Sequence, residues 1–336
     1  MILLGRLARW GGLALLAAAV LAIGVWCGLA VWFRVGGAEI FRDVLAGTVF
    51  AVALSTAACL ATSWRWMAAG AYAALVLVIL LWWSTIMPSG DRPWTPDVAR
   101  AATATIDGDR LVISNVRNFN WRSDADFDPV WEQRSYDLSQ VANVDLIMSY
   151  WAGETIAHTI ISFGFTDGTR LAFSIETRKE VGEAYSPIAG FFKQYELSVI
   201  AADERDVVRV RSNVRGEDVR IYRLRMTSAA AQVLLHEYVT MLNNIADQPR
   251  FYNTLTANCT TLVYNMVRVI HPGLPLDPRI LLTGYLPDYA YDLGATDTSM
   301  PFAILRDLSK IHDRALRADT DPQFSNRIRE STLSPR

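Results

Sequence analysis

"TIAHTIISFGFTDGTRLAFSIETR", residues 155–178, reads as two strands around a turn. Apolar and polar side chains alternate on both sides of Thr166-Asp167-Gly168, and a period of two belongs to β-structure. Asp-Gly supplies the backbone freedom that a tight hairpin needs. Loop length then decides which residues face each other. A three-residue loop pairs Phe165 with Thr169 and sets His158 opposite Glu176. A two-residue Asp-Gly loop shifts the register by one, brings Thr177 opposite His158 and turns Glu176 to the other face.

Working outward, more strands precede and follow this hairpin. "ATATIDGDRLVISNV" (102–116) predicts a hairpin with Asp107-Gly108 at its turn. "FNWRSDADFDPVWEQRSYDLSQ" (119–140) reads as a loop with a short helical or irregular part, and "NVDLIMSYW" (143–151) as a strand. "YELSVIAADERDVVRVRSN" (195–213) and "EDVRIYRLRM" (217–226) give further strands. The period then changes. "SAAAQVLLHEYVTMLNNIA" (228–246) has helical spacing. So does the segment after Cys259, with Leu262, Val263, Met266, Val267 and Ile270 on one face and Pro272 as its stop. Strands followed by helices make an α+β domain, an antiparallel sheet packed on helices.

The N-terminal part of the chain is of another kind. Residues 10–33, 44–64 and 67–87 are each long and apolar enough to span a bilayer, and tryptophans mark several of their ends. The expected organisation is a membrane region of three transmembrane helices over 1–87 and a linker over 88–100. An α+β domain over 101–316 and a polar tail over 317–336 follow. Arg6 and Arg9 before the first span, and Arg65 between the second and third, favour a cytoplasmic N-terminus by one arginine over Arg34 and Arg42. Three spans then put the large domain on the outer, periplasmic side of the inner membrane. Lys and Arg number 32 against 34 Asp and Glu, which offers no basic surplus for a nucleic-acid partner. A membrane lipid is the first partner expected.

Of three cysteines, Cys27 and Cys59 fall inside spans, so the outer domain has Cys259 alone in an oxidising compartment. Asn258 is a favoured helix N-cap, which puts Cys259 in the first turn, where free N–H groups and the helix dipole favour a thiolate. The plain alternatives are a small buried hydrophobe, or a glycosylation sequon at Asn258-Cys259-Thr260. A nucleophilic thiol needs a base. His236 lies mid-helix, His271 follows the far end of the Cys259 helix and His312 is near the polar end. His158 opens a rigid strand, and Glu176 is placed to orient its ring in one of the two registers. Each has a bland reading, as a structural strand histidine and a solvated carboxylate. "DADFDP" (124–129) lacks the glycine and closing glutamate of a calcium loop, and no cofactor or metal spacing is present. The arginines of 209–225 read as a solvated sheet face, with an anionic headgroup contact as the alternative.

"NVRNFNWRS" (115–123), "IAHTIISFGFTDG" (156–168), "SIETRKE" (174–180), "KQYELSVIAADERDV" (193–207) and "FYNTLTANCTT" (251–261) together resemble the Lnb-type N-terminal periplasmic domain. The resemblance runs over about 95–270, with the blocks in the family's order. That family is similar to circularly permuted NlpC/P60 papain-like folds, in which the histidine strand precedes the cysteine helix, as His158 precedes Cys259 here. The resemblance implies a thiol enzyme whose family name comes from lipoprotein N-acyltransferases. The spans here precede the domain, whereas the family name implies a domain at the N-terminus. The implied activity is acyl transfer from a phospholipid to an amine at the outer face of the membrane, with Cys259 as nucleophile, His158 as base and Glu176 as its orienter. Lipoproteins or cell-wall peptides are the further candidate partners. The rivals are a cysteine amidase or peptidase of the cell envelope and a non-catalytic envelope binding module.

Overall fold

The hairpin closes with the three-residue loop. Phe165 N–H bonds the Thr169 carbonyl at 3.1 Å, and Gly168 takes the positive φ of 86° that the turn requires. The computed structural model that contains it describes residues 2–330. Met1 and 331–336, the end of the expected tail, lie outside the described residues, as do the side chains of 2–7 and Arg9, among them the Arg6 and Arg9 of the orientation reading. The chain divides into two compact units, 1–88 with 186–194, and 89–185 with 195–336.

The first unit holds α1 (Ile2–Arg34), α2 (Glu39–Cys59) and α3 (Arg65–Thr85), three helices long and apolar enough to cross a membrane. With so little polarity to sort their faces, close approach comes from small residues. A Cβ at Gly24 would lie 2.3 Å from that of Ala53, so only glycine admits α2 here. Tyr72 satisfies its hydroxyl on the Val20 carbonyl at 2.7 Å. Cys27 faces the helices and is fully buried. The stretch 186–194, expected within the outer domain, packs in this unit. Phe192 stacks on Phe33 with centroids 5.4 Å apart, and Lys193 Nζ donates to the Trp83 and Ile86 carbonyls at the end of α3 at 2.9 and 3.2 Å.

The second unit is a mixed α+β domain. Its strands are β1 (Thr103–Asp107), β2 (Arg110–Arg117), β3 (Asn120–Trp121), β4 (Phe127–Asp128), β5 (Trp131–Asp137) and β6 (Val141–Tyr150). They continue with β7 (Ala157–Phe165), β8 (Arg170–Arg178), β9 (Glu196–Ala202) and β10 (Asp218–Leu224). The main sheet runs β1-β2-β9-β8-β7-β6-β10 with β5 added on β2, and β3–β4 form a separate ribbon. All neighbours are antiparallel except β2 and β9, which meet in parallel at Arg117 and Ala202. The first hairpin turns one residue later than its sequence suggests. Asp107 pairs with Arg110, so Gly108 and Asp109 form the loop. The stretch read as a loop contains β5, an edge strand whose charged residues hide its alternation.

The central strands are buried on both faces, because helices cover both. On one side lie α5 (Ser228–Asp247) and α6 (Cys259–Ile270), where Tyr238 stacks on Phe173 at 4.6 Å. On the other lie α4 (Glu204–Val207), the turn Val210–Val214, α9 (His312–Arg317) and α10 (Phe324–Arg327). There Ile147, Ile160, Ala172 and Ile200 of the sheet meet Val207, Val208, Ile311, Ala315, Phe324 and Ile328 in one core cluster. Fully burying a side chain such as Phe324 contributes about 1.5–3 kcal/mol. Through residue 330, the segment expected as a polar tail therefore packs as part of the domain. The remaining helices, α7 (Leu286–Asp292) and α8 (Phe302–Ser309), precede it.

Candidate active site

Asn258 caps α6 as its sequence predicts. Its side chain accepts from the N–H groups of Thr260 and Thr261, and Thr261 Oγ1 accepts from the Asn258 N–H in return at 3.0 Å. Cys259 is thus the first residue of the helix, 8% exposed.

The strand pair makes room for it. Odd positions of β7 are the hydrogen-bonded ones, as Phe165 and Thr169 demonstrate, and the β7–β8 ladder ends at Ile160 and Ser174. The next hydrogen-bonding N–H, that of Thr159, lies beyond the ladder and helps to lower the Cys259 pKa. Thr159 Oγ1 also meets Thr260 Oγ1 at 3.1 Å. The first turn of α6 is therefore seated where the two strands part.

The β7–β8 register, extended by two residues, sets His158 opposite Glu176, and the side chains meet: His158 Nε2 lies 3.2 Å from Glu176 Oε1. His158 also acts on the Cys259 thiol, lowering its pKa. The three residues singled out in the sequence thus come together, whereas His236, His271 and His312 are exposed.

Two further residues belong to the cluster. Ser174, fully buried, stands between His158 Nε2 and Glu176 Oε1 at 2.6 Å from each. Arg211 Nη2 donates to the same Glu176 oxygen at 2.8 Å, and its Nη1 lies 3.6 Å from Glu217. Ser174 was within reach of sequence reasoning, because it shares the face of Glu176 two residues away on one strand. Arg211 was not. It sits in a widened turn closed by Arg215 N–H to the carbonyl of Val210, five residues back, at 2.9 Å. Of the arginines expected on a solvated sheet face, Arg211 and Arg220 are instead buried, while Arg215, Arg223 and Arg225 are exposed.

Charge follows geometry. Burial and the Arg211 charge push the His158 pKa down, but the Glu176 charge and hydrogen bonding to Cys259 and Glu176 outweigh them and lift it to about 9. Burial raises the Cys259 pKa, yet His158, the Thr159 N–H and the Thr260 hydroxyl bring it below its ordinary value. Burial also opposes the Glu176 charge, and His158 and Arg211 hold that carboxyl well below its usual range. The thiol and the imidazole thus move toward an ion pair. His158, Glu176 and Arg211 line a cleft of about 380 Å³, with Trp151, Tyr185 and Tyr252 among its walls.

The family model of the Lnb N-terminal periplasmic domain matches residues 127–287, a span that holds every residue of this cluster. No curated protein and no solved structure matches the chain. The protein is thus membrane-associated, with a domain similar to that periplasmic domain.

Proposed function

We propose that the protein is a thiol-dependent acyltransferase of the outer face of the inner membrane, moving an acyl chain from a phospholipid to an amine. The observation that carries this reading is Cys259 at the head of α6, its pKa lowered by His158, whose Nε2 lies 3.2 Å from Glu176 Oε1. The His-before-Cys order agrees with a permuted NlpC/P60 papain-like arrangement, and the match to an Lnb periplasmic domain agrees with acyl chemistry on lipoproteins.

With Nε2 engaged by Ser174 and Glu176, Nδ1 is the ring atom left to face the thiol. The Cys259 thiolate forms a C–S bond to an ester carbonyl, and the C=O electron pair moves onto oxygen. When the carbonyl re-forms, the C–O bond breaks and the His158 imidazolium gives its proton to the leaving alkoxide. The acceptor amine then attacks the thioester, the C–S bond breaks, and His158 takes the amine proton, which restores the ion pair. Glu176 holds the ring and favours its charged form.

The test uses full-length protein in detergent with phosphatidylethanolamine labelled in its acyl chains and a peptide with a free N-terminal amine. Label should appear on Cys259, be removable by neutral hydroxylamine, and pass to the peptide. Release as free fatty acid alone would make the protein a hydrolase. Absence of label from Cys259 would remove the reading.

A further inference from the structure

The attack by Cys259 creates an oxyanion, and the helix-terminal N–H of Cys259 is one donor aimed at it. A single donor leaves the charge half-held in a site that excludes water. We propose that the hydroxyl of Tyr252 is the second donor, a catalytic role that rests on the acyl-transfer reading.

Tyr252 lines the cleft and is only 9% exposed. Its hydroxyl has no hydrogen-bond partner among the described residues. It differs from Tyr136, Tyr222 and Tyr238, whose unpartnered hydroxyls are shut away from solvent. The Tyr252 oxygen has the same spare capacity but opens on the cleft. Burial raises its pKa, and the charges of Cys259, Tyr185 and Glu176 raise it further. That coupling puts the phenol within electrostatic reach of the thiol and keeps it a protonated donor across the working range.

The backbone fixes the ring in advance. Tyr252 N–H bonds the Tyr195 carbonyl at 2.9 Å, and Leu197 N–H bonds the Arg250 carbonyl at 2.7 Å, so 250–252 runs along the start of β9. Asn253 and Ala257 then exchange backbone bonds in both directions, at 3.1 and 3.0 Å. The chain turns back on itself, and Asn258 and Cys259 emerge beside Tyr252. Asn258 Nδ2 ties the loop to the Thr254 carbonyl at 2.7 Å. One short, self-bonded loop thus sets the distance between nucleophile and donor, and a donor fixed beforehand needs no reorganisation when charge appears.

In the reaction the phenol keeps its proton. As sulfur bonds to the carbonyl carbon and the C=O pair moves to oxygen, the Tyr252 O–H donates a hydrogen bond to that oxygen. The bond is released when the carbonyl re-forms and the alkoxide leaves with the His158 proton.

Two rates on the full-length protein separate this role from the alternatives. Alkylation of Cys259 by iodoacetamide needs the thiolate and no oxyanion. Acylation by 4-nitrophenyl octanoate, read as a nitrophenolate burst with the mass adduct on Cys259, needs both. Tyr252→Phe keeps the ring and should alkylate at the wild-type rate while its acylation falls about 10²–10³-fold, the usual loss for one oxyanion donor. Tyr285→Phe, at an exposed tyrosine outside the cleft, should acylate as the wild type does. Equal acylation in Tyr252→Phe and wild type overturns the assignment alone. A parallel fall in both rates makes Tyr252 a support for the thiol and overturns it too. A wild type that alkylates at Cys259 but never acylates there overturns the acyl-transfer reading and this role together.

Discussion

Two buried ionic clusters share one face of β7, four residues apart, and they are built to opposite ends. At Ser162 both Glu204 carboxylate oxygens are taken, by Ser162 and by Arg329. Arg329 also reaches Asp145, which Arg170 and Arg223 hold from the other sides. At His158 the carboxylate of Glu176 is half-used. Ser174, Arg211 and His158 crowd Oε1, while the residue lines an open cleft with a thiol and a free phenol beside it. Burial raises the pKa of both carboxylates, and neighbouring cations win in both, taking Glu204 down to about 2. Depressed pKa alone therefore does not mark chemistry. Unfilled hydrogen-bonding capacity facing a cleft is the difference between the two clusters, and it is what favours the proposed chemistry at His158.

Removing one member of each cluster should separate them most. His158→Ala takes away the base and should cut Cys259 acylation by about 10²–10⁴. Its fold should be kept, as seen by circular dichroism. Arg329→Ala leaves Glu204 and Asp145 charged and under-paired, and breaking a buried pair in this way costs about 3–5 kcal/mol. Its melting temperature should drop sharply while the folded fraction still alkylates at Cys259 at the wild-type rate. A loss of thiol reactivity in Arg329→Ala would merge the two clusters into one.

Smaller changes sharpen the contrast through pH. Glu176→Gln removes the charge that raises the His158 pKa. The alkylation midpoint of Cys259 should move up, and acylation should fall by less than in His158→Ala. Arg211→Gln does the reverse at the imidazole, because Arg211 lowers the His158 pKa. Its alkaline limit of acylation should move upward from about pH 9, with rate at neutral pH least affected of all. Linkage has a definite sign for each cluster. The raised His158 pKa contributes stability that is complete below the ordinary value of 6.5 and lost as pH rises through about 9. The depressed Glu204 pKa contributes stability that is complete above 4.5 and lost as pH falls through about 2. Urea midpoints of wild type and Arg329→Ala should differ most above pH 4.5 and converge as pH falls through about 2, where Glu204 takes a proton.

Much of this was legible in local patterns. The period-two alternation gave the hairpin and, with the longer loop, the facing of His158 and Glu176. Asn258 gave the start of α6. What escaped depends on contacts distant in sequence. Arg211 reads as one of several surface arginines until a widened turn and the distant Glu176 draw it inward. Phe324, Ile328 and Arg329 sit in a polar stretch with no periodicity, and only the sheet face opposite gives them a place. Tyr252 is near Cys259 in sequence, but it was missed because the backbone bonds that fold the intervening loop leave no periodic pattern.

The most direct measurement is the intact mass of the protein isolated from membranes, before and after neutral hydroxylamine. A hydroxylamine-labile acyl adduct is expected on Cys259. It should be absent from Cys259→Ser and retained in the Cys27→Ser, Cys59→Ser double variant. An adduct that persists in Cys259→Ser and vanishes in the double variant would mean ordinary acylation of cysteines in the spans, and would contradict the account.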